Sequence, residues 1–391
     1  MRTAVAATLV WAASVSADSC APPASAFLWP LPRDCSFGAA SASLPPKCEG
    51  LAVSLDAPAG PGHAALASAV SRFQTALYGA PCSAAGAQAG LASLRIVVES
   101  TSEWPPARPG SVAEAYRLSV SDTGAEVRAN ATAGALLALR TFSKLLRPSS
   151  GGGATVEGVP VTIVDEPRFS HRGVMIDTAR HFLPVAAIKR TALAAAASGM
   201  NTLHLHLTDA QSFPVEVPGL PELAAKGAYG PRAVFSAKDL EDVAAYASDL
   251  GMVVIPEVDV PGHAYSFGLG YPNVTADCPA YAHNINNIPL NPAVQFSAEV
   301  VQSVLRAVTQ AFGGELVHIG VSRRGTPAAW RCQATTCGRG GVAGSVWGAS
   351  PAICRSPCRA GKRKRTLLAA APPPPGRNAS VIVRHNDPAG R

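Results

Sequence analysis

Arg172-Gly-Val-Met-Ile-Asp177 and Asn201-Thr-Leu-His-Leu-His-Leu-Thr-Asp209, joined by a run that opens at Pro184 and stops at Gly199, decide how this chain folds. Gly173–Thr178 and Thr202–Thr208 are short apolar runs, each closed by polar residues, and read as strands. The alanine-rich segment between them has Pro at the first turn and Gly just past the end, the usual asymmetry of a helix. The unit then recurs. Ser236 with Asp239 three residues on resembles a capping box, and that helix ends at Gly251. Met252–Val258 is the next strand, with Glu257 and Asp259 at its end. Asn291-Pro292 is expected to open a helix closing at Gly313-Gly314, before a fourth strand, Leu316–Gly320.

Continuous apolar strands separated by helices predict a parallel sheet. Polar residues at the carboxyl end of every strand point to a (β/α)8 TIM barrel. An open doubly wound sheet fits the alternation as well, although no Gly-x-Gly-x-x-Gly follows the first strand. Only about four β/α units precede Val321, after which no further strand–helix unit can be read. Upstream, residues 51–165 are mixed α and β. Leu66–Tyr78 and Thr132–Leu146 have helical spacing, and Ser93–Glu99 is a β-branched run. Tyr116–Val120 and Glu126–Ala129 flank Asp122-Thr-Gly124, a hairpin signal, and Val159–Val164 is a further strand. A short strand is expected near Phe27–Pro30. The fold class is thus α/β: a small N-terminal α+β domain, residues 27–165, followed by a partial barrel, residues 167–320.

Of the 391 residues, 48% are hydrophobic, enough for a sizeable core. No apolar run of membrane length lies beyond the first 20 residues, so no membrane span is expected. The formal charge of +7 averages two unlike segments. Residues 321–391 hold 13 Lys and Arg against the single acid Asp387, whereas residues 1–320 hold 20 bases against 25 acids. The folded part is acidic, so the basic pI does not argue for a nucleic-acid partner. Residues 321–391 read as a disordered Pro/Arg-rich tail containing Gly361-Lys-Arg-Lys-Arg365 and Pro372–Pro375.

Arg2, the apolar stretch Ala4–Val15 and small residues at Val15-Ser16-Ala17 form a secretory signal pattern over residues 1–17. Asn130, Asn273 and Asn378 each open a glycosylation acceptor triplet. Cys20, Cys35, Cys48 and Cys82 are candidates for pairing in an oxidising compartment, with connectivity left open. Cys332, Cys337, Cys354 and Cys358 are too loosely spaced to argue for zinc, and neither metal nor cofactor is expected.

Each strand end delivers polar groups to one rim: Asp177, Arg180 and His181; His204, His206 and Asp209; Glu257, Asp259 and His263; and His318. Some will be structural ion pairs, Arg180 with Asp209 for instance. As a set they exceed what an apolar sheet needs, and such a rim suits a hydroxylated or anionic substrate.

These residues also carry a resemblance. Pro167–Pro184, Asn201–Pro214 and Ile255-Pro-Glu-Val-Asp-Val-Pro-Gly-His263 resemble successive strands of the β-N-acetylhexosaminidases, glycoside hydrolase family 20. Leu28-Trp-Pro30 and Ala133–Leu146 resemble that family's small N-terminal domain, and the match runs from about residue 27 to Gly320. The resemblance implies a glycosidase of carbohydrate metabolism. It removes terminal, non-reducing N-acetylglucosamine or N-acetylgalactosamine from glycoconjugates, using the sugar's own acetamido group as nucleophile. It implies that Arg180 binds sugar hydroxyls, that Asp209 holds Arg180, and that His263, oriented by Asp259, supports the acid/base Glu. Glu257 and His318 join the substrate-binding set. A secreted, lysosomal or vacuolar glycoprotein is implied, and a homodimer stays open.

One departure stands out. The family's His-x-Gly-Gly-Asp-Glu is here His318-Ile-Gly320-Val321-Ser322-Arg323. Ser322 cannot supply the negative charge of the acetamido-orienting Asp. Arg323 cannot donate and retake a proton near neutral pH. The acid/base pair is therefore expected to be absent and the chain inactive, with a non-catalytic glycan-binding protein as the alternative. Resemblance and composition are both expected to change at Gly320. Truncation or read-through of an unspliced intron there would account for both.

Overall fold

The computed structural model describes residues 20, 22, 28–45, 51–79, 90–149, 153–277 and 283–320, with the backbone of 382–384. The expected signal segment, Cys48, Cys82, Ser322, Arg323, the four tail cysteines and Asn378 lie outside the described residues. The chain divides into two compact units, one within residues 1–105 and 112–170, the other within 106–111 and 171–391.

The first unit contains β1 (Asp34–Ser43), β2 (Ala52–Asp56), α1 (Pro61–Tyr78), β3 (Ser93–Ser100), β4 (Tyr116–Val120), β5 (Gly124–Ala131), α2 (Thr132–Leu145), β6 (Arg147–Pro148) and β7 (Ala154–Asp165). Its sheet runs β1-β7-β4-β5-β3-β2, with β6 beside β7. The Asp122-Thr-Gly124 signal is the β4–β5 hairpin, antiparallel from Tyr116↔Ala129 to Val120↔Ala125. Alternate residues Tyr116, Leu118 and Val120 are buried with Val127, Ile163 and Phe142 in one core. Phe73 of α1 meets Phe142 of α2 at 5.7 Å between ring centroids.

The strand expected near Phe27–Pro30 is not formed by the described residues 28–30; the first strand is β1. Pro30 and Pro32 lack the amide hydrogens a ladder needs, so pairing begins only beyond them. Cys35 of β1 is bonded to Cys20, with Cα atoms 4.6 Å apart.

The second unit contains β8 (Gly173–Asp177), α3 (Val185–Ala197), β9 (Thr202–Thr208), α4 (Glu222–Gly227), α5 (Ala237–Asp249), β10 (Val253–Val260), α6 (Tyr265–Gly270), α7 (Gln295–Phe312), β11 (Leu316–Gly320) and β12 (Ile382–Arg384). β8, β9, β10 and β11 lie side by side in chain order and are parallel. Consecutive long helices touch, α3 with α5 and α5 with α7. Sequential strands under sequential helices are the singly wound path of a barrel wall; a doubly wound sheet reverses its strand order. The barrel reading therefore prevails over the open sheet. β12, in the segment expected to be disordered, pairs antiparallel with the outer edge of β11.

Strand period two divides this wall. Val174, Ile176, Leu203, Leu205, Leu207, Val254, Val258 and Val317 form the outer core with the helices. The alternate residues Met175, Asp177, His204, His206, Glu257, Asp259 and His318 therefore project to the inner face. Ser236 caps α5: its Oγ accepts from the Asp239 N–H, and the Asp239 carboxylate accepts from the Ser236 N–H in return. α7 begins three residues after the expected Pro292, at Gln295. The Asn291 side-chain oxygen instead accepts the Ala293 N–H, forming a local turn that delays the helix. Short helices α4 and α6, unforeseen from periodicity, pack on each other, and Phe267 of α6 meets Phe213, in the segment after β9, edge-on at 4.8 Å.

Candidate active site

Strand register brings four polar side chains into one row across the inner wall. Asp177 of β8 is level with His206 of β9, His206 with Glu257 of β10, and Glu257 with His318 of β11. Apolar residues Val253, Ile255 and Leu316 form the inner layer below. The row thus lies toward the carboxyl ends of the strands, where barrel sites are built.

Above the row, the turn after β8 carries Arg180. Asp177 shapes that turn: one carboxylate oxygen accepts the N–H groups of Ala179 and Arg180, at 3.1 and 2.9 Å. Its other oxygen accepts from Arg180 Nη1 at 2.5 Å. Arg180 Nη2 donates to Asp209 Oδ2 at 2.7 Å, so the fork is bracketed by two carboxylates. Tyr229 Oη donates to the Arg180 carbonyl at 2.9 Å.

Asp209 is fully buried yet ionised. Burial alone would raise its pKa, but donors His206 and His263 and the Ala210 N–H hold it well below the ordinary carboxylate range. Glu257 is a second hub. His206 Nδ1 lies 3.1 Å from Oε1, while His204 Nε2 and His318 Nδ1 lie 2.5 and 3.2 Å from Oε2. Burial opposes its charge, and the three imidazoles override burial and depress its pKa.

His206 stands between the hubs, its Nδ1 facing Glu257 and its Nε2 facing Asp209 at 3.0 Å. Both nitrogens face acceptors, so both carry protons. Burial disfavours the cation, but the hydrogen bonds to Asp209 and Glu257 push the pKa up to about 10. His263 Nδ1 is 3.2 Å from both Asp209 and Asp259, which push it up to about 9. His263 has φ 53, the sole positive φ of a non-glycine among the described residues. A non-glycine residue in this left-handed region is strained and is held by the surrounding bonds.

Among the described residues, two groups bring three ligand-type atoms within 4.8 Å: His204, Glu257 and His318, and His206, Asp209 and Asp259. The second does not suit a metal as it stands. His206 is a cation with both ring nitrogens protonated, and a ligand needs a free lone pair.

The network therefore joins Arg180, Asp209, Glu257, Asp259, His263 and His318, all six from the sequence-derived set. It places Glu257 and His318 beneath the rim, each 7% exposed and facing each other, not open to a ligand. His181 is exposed and no polar contact joins it to the network. Asn130 on β5 and Asn273 are both exposed. Sequence reasoning noted Asp177, His204 and His206 on the rim but assigned them no role; the period-two spacing of the histidines and Asp177's distance of three residues from Arg180 were the available signals. Tyr229 left none.

Two family models match the chain: "Glycosyl hydrolase family 20, domain 2" over residues 26–166, and "Glycosyl hydrolase family 20, catalytic domain" over residues 169–331. The second spans Ser322 and Arg323 and continues past Trp330. Beta-hexosaminidase subunit A1 of Dictyostelium discoideum is 39% identical over 207 residues, covering 53% of this chain and 38% of that protein. Mouse beta-hexosaminidase subunit beta is 33% identical over 299 residues, covering 75% and 55%. Among solved structures, an exo-β-N-acetylglucosaminidase from Vibrio harveyi in complex with N-acetylglucosamine superimposes with TM-score 0.65 at 25% identity, covering 83% of this chain and 52% of that one. The chain spans between about a third and just over half of the curated relatives it matches.

Proposed function

The chain belongs to glycosyl hydrolase family 20, and on that premise we propose that the protein is a β-N-acetylhexosaminidase acting on glycoconjugates that end in N-acetylglucosamine or N-acetylgalactosamine. The observation that carries the reading is Arg180. Its side chain is 41% exposed at the rim while two carboxylates fix its guanidinium from behind. An Arg fork held this way presents its outward donors to vicinal sugar hydroxyls in one geometry.

In this family the acetamido oxygen of the bound sugar attacks the anomeric carbon, so the enzyme need not supply the nucleophile. What it must supply is orientation, and a group that protonates the leaving oxygen and then activates water. His263, with its Nδ1 proton directed to Asp209 and Asp259, leaves Nε2 for the partner that performs this proton transfer. The resemblance of His318-Ile-Gly320-Val321-Ser322-Arg323 to the family's His-x-Gly-Gly-Asp-Glu implies that Arg323 stands in that partner's position and Ser322 in that of the acetamido-orienting group. Cleavage by this sequence is therefore slower by roughly 10²–10⁴-fold than by one bearing Asp-Glu there.

Hydrolysis of a chromogenic N-acetylglucosaminide by the purified chain and by its Ser322→Asp, Arg323→Glu double variant tests both parts. Faster turnover by the double variant is expected. Hydrolysis of an unacetylated glucoside in preference to the N-acetyl compound would overturn the reading.

We further place the protein in the secretory route, bound for secretion or a lysosome- or vacuole-type compartment. The Cys20–Cys35 disulfide favours an oxidising compartment, and the apolar stretch 4–15 and the exposed Asn130 and Asn273 acceptors point the same way.

A further inference from the structure

We propose that Glu257 is a positioning residue of the sugar clamp, fixing Arg180 from below through His206 and Asp209. The inference rests on the reading of Arg180 as the sugar-gripping group. Its basis is an unbroken line of bonds. Glu257 Oε1 meets His206 Nδ1 at 3.1 Å, His206 Nε2 meets Asp209 Oδ2 at 3.0 Å, and the same Oδ2 meets Arg180 Nη2 at 2.7 Å. Every member except Arg180 is at least nine-tenths buried.

Burial makes the protonation pattern decisive. Asp209 Oδ2 is shared among Arg180, His206 and His263, so His206 must donate there. The ring donates from Nε2 with or without a charge. As a neutral ring it would leave Nδ1 unprotonated, facing a carboxylate lone pair across 3.1 Å. Glu257 removes that state: it demands a proton on Nδ1 as well and makes the ring a cation. A cation binds Asp209 more tightly than a neutral donor, and Asp209 is thereby held on the side where it meets Arg180. The other charged groups around His206 are accounted for. Asp177 of β8 lies level with it, Asp259 of β10 has a carboxylate oxygen within 4.8 Å of it, Arg180 and His263 reach it through Asp209, and His204 and His318 reach it through Glu257. None of these but Glu257 touches Nδ1.

Glu257→Gln keeps shape and removes the charge. Histidine side-chain NMR, with His206 assigned by His206→Gln, reads the relay without any activity. Wild-type His206 is expected to carry both ring protons at pH 8, and in Glu257→Gln to lose one below that pH. Affinity for N-acetylglucosamine is expected to fall about tenfold in Glu257→Gln at pH 8, the effect of weakening one charged hydrogen bond. It should recover at pH 5, where solvent protonates the ring. A purely structural role predicts equal loss at both pH values and would overturn the proposal. So would a His206 still doubly protonated at pH 8 in folded Glu257→Gln. Should that variant fail to fold, a singly protonated His206 in the wild type at pH 8 overturns it equally, and double protonation upholds it. If wild-type protein ignores the sugar while His206 behaves as described, the functional reading fails and the relay stands.

Discussion

Arg180 and Asp209 meet at 2.7 Å with opposite relations to solvent: the Asp209 side chain is completely excluded, the Arg180 side chain 41% exposed. An inner anchor and an outer hand are joined by one charge-assisted bond. A second carboxylate, Asp177, holds the other terminal nitrogen of the same fork.

This pairing predicts that Arg180→Lys is not conservative. An ammonium is a point charge and cannot bridge both carboxylates while offering planar donors outward. Affinity for N-acetylglucosamine should fall at least about tenfold by calorimetry, a loss of one charged hydrogen bond or more. Stability should change by less than about 1 kcal/mol, since Arg180 is partly exposed.

Asp209→Asn should instead unfold easily. It leaves the His206 and His263 cations and Arg180 around a neutral amide in a buried place. Breaking such a network costs about 3–5 kcal/mol, visible as a lower urea midpoint.

Stability should also fall on the alkaline side. His206 and His263 have pKa values raised to about 10 and about 9 in the fold. Their contribution is complete below the ordinary histidine value of about 6.5 and is lost as pH rises through 9 and 10, because the unfolded chain releases its protons first. Asp209 and Glu257, both depressed, contribute above the ordinary carboxylate range and lose this as pH falls below it. Thermal melts should therefore show Tm higher at pH 5.5 than at pH 9. A Tm that rises toward pH 9 contradicts the assignment.

Gly320→Ala should damage the site from below. Gly320 has φ +68, and an added Cβ would stand 2.0 Å from Asp259 Oδ1. The methyl group cannot be accommodated unless Asp259 leaves His263. Destabilisation in urea and loss of the His263 pKa elevation by NMR are expected together.

How much of this was legible beforehand follows from which interactions are local. The β8-to-β9 unit, the Ser236 cap and the β4–β5 hairpin are written in contiguous residues, and the structure forms them there. β1 was missed because Asp34–Ser43 is a small, polar, mostly exposed edge run whose pairing with β7 comes from more than a hundred residues away. The start of α7 was displaced because Asn291 offered its own backbone a competing turn. On the rim, family-like motifs marked Arg180, Asp209 and His263, but no periodicity reveals which histidine sits between which carboxylates. That depends on register between strands, and a slip of one residue would have sent Glu257 and His206 to the opposite face.

Of the four strands that build the wall, β8 alone has a neighbour on one side only among the described residues, and Met175 on its inner face is 55% exposed. Asp177 belongs to that same strand, so the two arms bracketing Arg180 inhabit different media: Asp209 in a dry interior, Asp177 beside a bare margin. Whatever comes to lie along that margin will exclude water from Asp177 and strengthen its hold. Sealing the seam therefore tunes the grip as well as completing the wall.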